Sequence, residues 1–268
     1  MAESWIVVTD LDGTLLDHHS YSWEPASEAL ALLKKQQIPL VLCSSKTAAE
    51  MDSIRLALET NAPFIAENGG AVYLFDNDTG ADSAEVVSFG MNRADIIKNL
   101  ESIKQELSVK YTGFSDMSIN DLVEVTGLDS ESAMLALQRE FTEPLLWEDS
   151  DDSRVRFIKH LGKAGLEGVQ GGRFLHVSSG CDKGAAVNWL KKHMEKLTGK
   201  PQKVIALGDS DNDVGMLEAA DWAILVKSPV RGYPSVENRN QIKTLACGPE
   251  GWNDAIKTIL KTTGQSDG

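Results

Sequence analysis

Cysteine is scarce. Three residues, Cys43, Cys181 and Cys247, stand far apart in a chain of 268. An odd, widely spaced set supports neither a disulfide framework nor a thiolate metal site, and it suits a reducing compartment. Positive charge is also in short supply, with 26 Lys and Arg against 40 Asp and Glu and a net charge of −14. That balance argues against a general binder of nucleic acid or anionic membranes. It leaves an anionic substrate open, because a metal ion and a few local cations can reverse the field within one cleft. No apolar run reaches membrane-spanning length, and no basic stretch leads into a signal-like apolar one near residue 1. Aromatic residues make up 6%, too few to infer a carbohydrate-stacking platform. Internal repeats are missing, and the short polar tail after Lys261 is expected to fray. With 42% apolar residues there is ample material for a packed interior, so a cytoplasmic globular protein is expected.

What is present is an alternation of strand and helix signals. "WIVVTD" is apolar without polar alternation, as in a strand buried on both faces. "EPASEALALLKKQ" reads as a helix with Pro25 in its first turn, "IPLVLCSS" as a second buried strand, "KTAAEMDSIRLALE" as a second helix and "APFIAENGG" as a third strand. That order predicts a doubly wound, mainly parallel α/β sheet of the Rossmann-like kind. Later, "KGAAVNWLKKHMEKL", "KVIALGD", "VGMLEAA" and "WAILV" supply a second α/β stretch for the same sheet. The middle is different: its strand candidates, from "EVVSFG" to "RFLHVS", are shorter and more polar, as in an antiparallel sheet covered on one face. The reading is a core of residues 1–81 and 179–268 with an inserted α+β module at 82–178. Its connections fall at Asn77–Asp82 and Ser178–Asp182.

Chemistry gathers where the buried strands end. Ligands in parallel α/β sheets collect beyond the carboxyl ends of the strands, and "TDLDGT" puts Asp10 and Asp12 at such an end. One carboxylate there can attack phosphorus, and the second can pass a proton to the leaving oxygen and later take one from water. Asp-x-Asp-Gly is equally an ordinary turn; alone, the motif leaves both readings open. "LGDSDND" adds Asp209 and Asp213 at another strand end, which with Asp10 form a hard-oxygen cluster suited to Mg²⁺. "VLCSS" brings the Ser44 hydroxyl, and Lys183 brings a cation at the start of a helix.

An acid pair, a hydroxyl, a lysine and a second acid pair, in that order, resemble the haloacid dehalogenase-like phosphohydrolases. The resemblance implies that Asp10 is nucleophile and Mg²⁺ ligand, and that Asp12 is general acid/base with its carbonyl on the metal. Ser44 and Lys183 would hold the phosphoryl oxygens. Asp209 would bind the metal directly, and Asp213 would bind it through water or orient Lys183. "LCSSKT", "AENGG", "REFTEP", "GGRFLHV" and "GPEGW" are further similar to the mannosyl-3-phosphoglycerate phosphatases, particularly their bacterial branch. Their substrate carries a phosphate, a carboxylate and a neutral sugar, and an inserted cap of this type would select it. Arg139 and Arg173 are then candidates for the carboxylate, and Glu143 and His176 for sugar hydroxyls. Lys46, Asn68, Gly69 and Asn212 are candidates at the cleft edge. Each has a plainer reading: Arg139 on the solvated face of a helix, His176 as a structural histidine, Lys46 as the cap of the next helix. A broader sugar-phosphate phosphatase, a phosphomutase and a binding protein without turnover are the competing functions.

Overall fold

The computed structural model describes residues 4–75, 84–171 and 173–262. In chain order the elements are β1 (Ser4–Thr9), α1 (Ser27–Lys35), β2 (Leu40–Cys43), α2 (Ala48–Ala57), β3 (Phe64–Ala66), β4 (Ala71–Leu74) and β5 (Glu85–Ser88). Then follow α3 (Arg93–Leu107), β6 (Tyr111–Gly113), α4 (Ile119–Thr126), α5 (Ser130–Ala136), β7 (Thr142–Trp147), α6 (Asp151–Lys163), β8 (Glu167–Gln170) and β9 (Leu175–Ser178). The chain closes with α7 (Lys183–Thr198), β10 (Gln202–Gly208), α8 (Val214–Ala219), β11 (Trp222–Lys227), β12 (Gln241–Cys247) and α9 (Gly248–Thr262).

The large sheet has the order β12-β11-β10-β1-β2-β3-β4-β5, parallel from β12 to β3 and antiparallel over the last two strands. Its central strands are apolar throughout because both faces are covered. Val7, Leu42, Ile205 and Ile224 point into a cluster with Leu33, Met51 and Trp252 from α1, α2 and α9. Their neighbours Val8, Val41, Ala206 and Leu225 point the other way, onto Val187 and Leu190 of α7 and Leu217 of α8. No described helix is long and apolar enough to cross a membrane.

The smaller sheet, β6-β7-β9-β8, is antiparallel. One of its faces is covered by Ile96 and Leu100 of α3 and by Phe157 and Leu161 of α6, packed on Leu145, Leu175 and Val177. Alongside, α4 and α5 close over Phe114.

Several expectations shift. "EVVSFG" was assigned to the inserted module, yet β5 pairs residue for residue with β4 and extends the large sheet, so β6 is the first strand of the smaller one. The exposure of β5, at three of its four residues, is that of an edge strand of the core. The expected connection at Asn77–Asp82 and the tail from residue 263 lie outside the described residues. Two core strands, β4 and β12, and the helices α4 and α9 go beyond the elements read from the sequence.

Candidate active site

At the carboxyl end of β1 the chain turns at once, with Thr14 and Leu16 donating their amides to the Leu11 carbonyl. Gly13 stands at φ +83°, and a side chain there would meet Asp209 Oδ2 at 3.0 Å, so glycine alone lets the two loops close. Strands β10, β1 and β2 are neighbours, which sets the ends bearing Asp209, Asp10 and Ser44 side by side. Lys183, on the first turn of α7, is 1% exposed and places its ammonium 2.7 Å from Asp10 Oδ1 and 2.7 Å from Asp213 Oδ1. Burial alone would depress that ammonium, but the Asp10 and Asp213 charges outweigh it and hold it above the usual lysine range.

Carboxylate oxygens of Asp10, Asp209 and Asp213 lie within 4.8 Å of one another. Burial, then the Asp213 charge, pushes the Asp10 carboxyl up to about 8 despite Lys183, and burial with Asp213 also raises Asp209. Three buried acids facing one ammonium are under-compensated, and the donor set is all oxygen. These residues therefore fit a hard divalent cation. Asp213 is the most committed of the three, since its other oxygen accepts from the Asp209 and Ser210 amides at 3.1 Å each.

Asp12 Oδ2 pairs with Lys46 Nζ at 2.9 Å, while Asp12 Oδ1 is buried and has no hydrogen-bond partner. Lys46 does not cap α2: Thr47 does, in a reciprocal box with Glu50. Ser44 is buried, its Oγ accepting from the Lys46 amide at 3.3 Å. Asn68 Oδ1 accepts from Asn212 Nδ2 at 3.2 Å, so these two join the loops after β3 and β10. Gly69, at φ +93°, packs against the backbone of Asp182 and Lys183. Behind the site the Cys43 thiol is pushed up to about 12 by burial, which makes it inert.

The smaller sheet distributes its candidates differently. Arg139 is not on a helix; it lies in the turn between α5 and β7, and its Nη1 donates to Ser45 O at 3.2 Å and Thr142 Oγ1 at 2.9 Å. Its Nε is buried without a partner. His176, on β9, is mostly buried; burial and the neighbouring Arg139 charge lower it to about 4, so the ring is neutral. Both oxygens of Glu143 are taken within the protein, by Arg93 Nε at 2.6 Å and the Ser115 amide at 2.7 Å. Arg173 is exposed in the β8–β9 bend, next to Phe174, whose ring packs on Phe114. Sequence reasoning passed over Glu67, which is 1% exposed and bonds the turn from Glu140 to Thr142. The only signal was its place in "AENGG", from which Asn68 and Gly69 alone were singled out.

Comparison with known proteins agrees with this geometry. The profile of the haloacid dehalogenase-like hydrolases matches residues 7–124 and 148–231, and the chain belongs to that family. It is 38% identical over 265 residues to a glucosyl-3-phosphoglycerate/mannosyl-3-phosphoglycerate phosphatase of Methanococcoides burtonii, covering 95% of this chain and 97% of that protein. Within the family it is accordingly a phosphoric monoester hydrolase. The fold is shared with a Thermoplasma acidophilum protein, 0175 (TM-score 0.65, 18% identity, 98% and 99% of the two chains). It is also shared with a haloacid dehalogenase-like hydrolase of Bacteroides thetaiotaomicron (TM-score 0.66, 16% identity, 96% and 100%).

Proposed function

We propose that the protein is a Mg²⁺-dependent phosphatase that releases phosphate from mannosyl-3-phosphoglycerate or a close glycosyl-phosphoglycerate, leaving mannosylglycerate or its counterpart. The observation that carries the phosphatase chemistry is the division of labour between two carboxylates two positions apart. Asp10 has one oxygen fixed by Lys183, which leaves the other to attack. Asp12 has one oxygen fixed by Lys46 and a second that is buried and unpartnered, where a proton can be carried.

Asp10 forms a bond to phosphorus as the bond from phosphorus to the sugar acid's oxygen breaks. Asp12 delivers its proton to that oxygen. Asp12 then removes a proton from water, whose oxygen attacks the phosphoaspartate and restores Asp10. The Ser44 hydroxyl and the Lys183 ammonium hold phosphoryl oxygens throughout. Asp213 keeps Lys183 aimed. Magnesium, held by Asp10, Asp209, the Asp12 carbonyl and Asp213 (directly or through water), would neutralise phosphoryl charge.

The module from β6 to β9 acts as the specificity cap, its boundaries now drawn near Phe89 and Ser179. The sugar-acid assignment draws on the 38% identity to the Methanococcoides burtonii protein and on Lys46, Lys183 and Arg139, which stand around the strand ends. Arg139 offers an unpartnered guanidinium nitrogen beside the neutral His176, a pairing suited to a carboxylate next to a hydroxyl. Phosphate release measured across a panel of phosphomonoesters, with and without Mg²⁺, tests the proposal. Preference for glycosyl-phosphoglycerates and inhibition by EDTA are expected. A preference for plain hexose phosphates would overturn the substrate, and full activity after exhaustive chelation the metal.

A further inference from the structure

The turn after β3 is strained and unusually well connected. Glu67 and Asn68 stand at φ +51° and +58°, left-handed conformations that side chains other than glycine rarely adopt, and Gly69 follows at +93°. Two consecutive non-glycine residues in this region persist only where the surroundings hold them. Here the surroundings are the whole site. The Glu67 amide donates to Lys46 O at 2.9 Å and the Asn68 amide to Ser44 O at 2.8 Å, which ties the turn to the loop bearing Ser44 and Lys46.

The left-handed backbone sends the Glu67 carboxylate the other way, into the cap. Its Oε1 accepts from the Glu140 amide at 2.7 Å. Its Oε2 accepts from the Phe141 amide at 3.2 Å and from Thr142 Oγ1 at 2.5 Å. Arg139 Nη1 stands 3.9 Å from the same oxygen while also donating to Ser45 O. A buried carboxylate of the core is thus satisfied almost entirely by four consecutive cap residues, Arg139 to Thr142, at the entry to β7.

We infer that Glu67 is a positioning residue that couples the seating of the cap to the loop holding the phosphoryl group. The inference rests on the cap being the specificity element. With Glu67 in place, Arg139 and the phosphate-holding loop form one rigid body, so a substrate gripped by the cap meets Ser44, Lys46 and Asp10 in register. Without it the cap stays attached through its two connections and through the bonds of Arg139 to Ser45 O and of Thr47 Oγ1 to Leu135 O, but the turn from Glu140 to Thr142 is no longer fixed against the loop.

Glu67→Gln in the full-length protein is the test. It keeps the shape but turns one acceptor oxygen into a donor that faces another donor. Hydrogen exchange at the Glu140 and Phe141 amides should accelerate about tenfold or more in the variant. The kcat/KM for mannosyl-3-phosphoglycerate should fall about tenfold, with p-nitrophenyl phosphate changing less than about threefold. A merely structural role would lower both substrates together and leave their ratio unchanged, and that result, or unchanged exchange, overturns the inference. Thr142→Val removes one of Glu67's donors and, with the same hydroxyl, one acceptor of Arg139 Nη1, which keeps Ser45 O, and it should shift both readouts in the same direction by a smaller factor, so a poorly folding Glu67 variant still leaves a decision. If the wild type prefers another sugar phosphate, the substrate reading fails while the coupling is measured with that ester instead.

Discussion

Asp10 and Asp12 are the same residue type two positions apart, and their surroundings give them different tasks. Lys183 and Asp213 immobilise Asp10, whereas Asp12 keeps a free buried oxygen. Replacing Asp12 by Asn removes proton transfer while sparing the nucleophile, so turnover should fall by about 100-fold or more, and with p-nitrophenyl phosphate, whose leaving group departs without a proton, phosphorylated Asp10 should accumulate. Mass spectrometry of the rapidly quenched enzyme checks this; a variant that stalls without any phosphoenzyme would break the division of labour. His176 makes a second prediction at this scale. Its folded-state value near 4 lies below the ordinary histidine value because of burial first and Arg139 second. Above pH 6.5 the ring is neutral in both folded and unfolded chains, and its burial costs nothing in protons. As pH falls from 6.5 towards 4 the unfolded chain gains a proton that the fold refuses, so stability drops by up to roughly 2–3 kcal/mol. His176→Gln should flatten that part of the pH dependence. Urea midpoints of both proteins at pH 7 and 4.5 measure it, and parallel slopes would contradict it.

Elements differ in how much of themselves the sequence disclosed. The buried strands β1, β2, β10 and β11 were legible because uninterrupted apolar residues end abruptly in acids, a hydroxyl or a turn. Edge strands were not: β5 is exposed at three of its four residues and β12 alternates in exposure, and neither pattern says which sheet a strand joins. Helix α5 stops at Ala136, three residues before Arg139, which frees that side chain to turn back onto Ser45. The β7 residue Glu143 reads as a sugar ligand only through the resemblance that "REFTEP" carries, and its long-range pairing with Arg93 has no local signature. The structure now predicts a different phenotype. Glu143→Ala leaves the Arg93 guanidinium, 16% exposed, without its carboxylate, and unfastens the Ser115 turn under Phe114. Breaking such a buried pair should cost about 3 kcal/mol of stability. Denaturant unfolding checks it, and a fully stable variant with a raised KM would return Glu143 to the substrate.

For the whole molecule, the strand-end cluster could be read from sequence since each of its members follows a recognisable strand, whereas the seating of cap on core depends on contacts such as Glu67 to Thr142, 75 residues apart. The two crossings between the sheets run side by side: a side chain at Gly180 would stand 3.2 Å from Phe89 O, and one at Gly90 would collide with Ser179 O. A chain that leaves and re-enters the core at one point can be cut there. Joining Phe89 to Cys181 through a short glycine linker would remove the cap while taking only Phe141 from the apolar cluster on one face of the large sheet and nothing from the other. Asp10, Asp12, Ser44, Lys46, Lys183, Asp209 and Asp213 would all remain. The shortened chain should keep Mg²⁺-stimulated hydrolysis of p-nitrophenyl phosphate, because the core alone holds the phosphoryl group. Its preference for a glycosyl-phosphoglycerate should fall on the order of 100-fold, about 3 kcal/mol, the scale of one desolvated charge pair lost with Arg139. Kinetics on both esters, with circular dichroism to show that the core is folded, decide the matter. A folded core that retains the wild-type preference would move specificity out of the cap and into the strand-end loops.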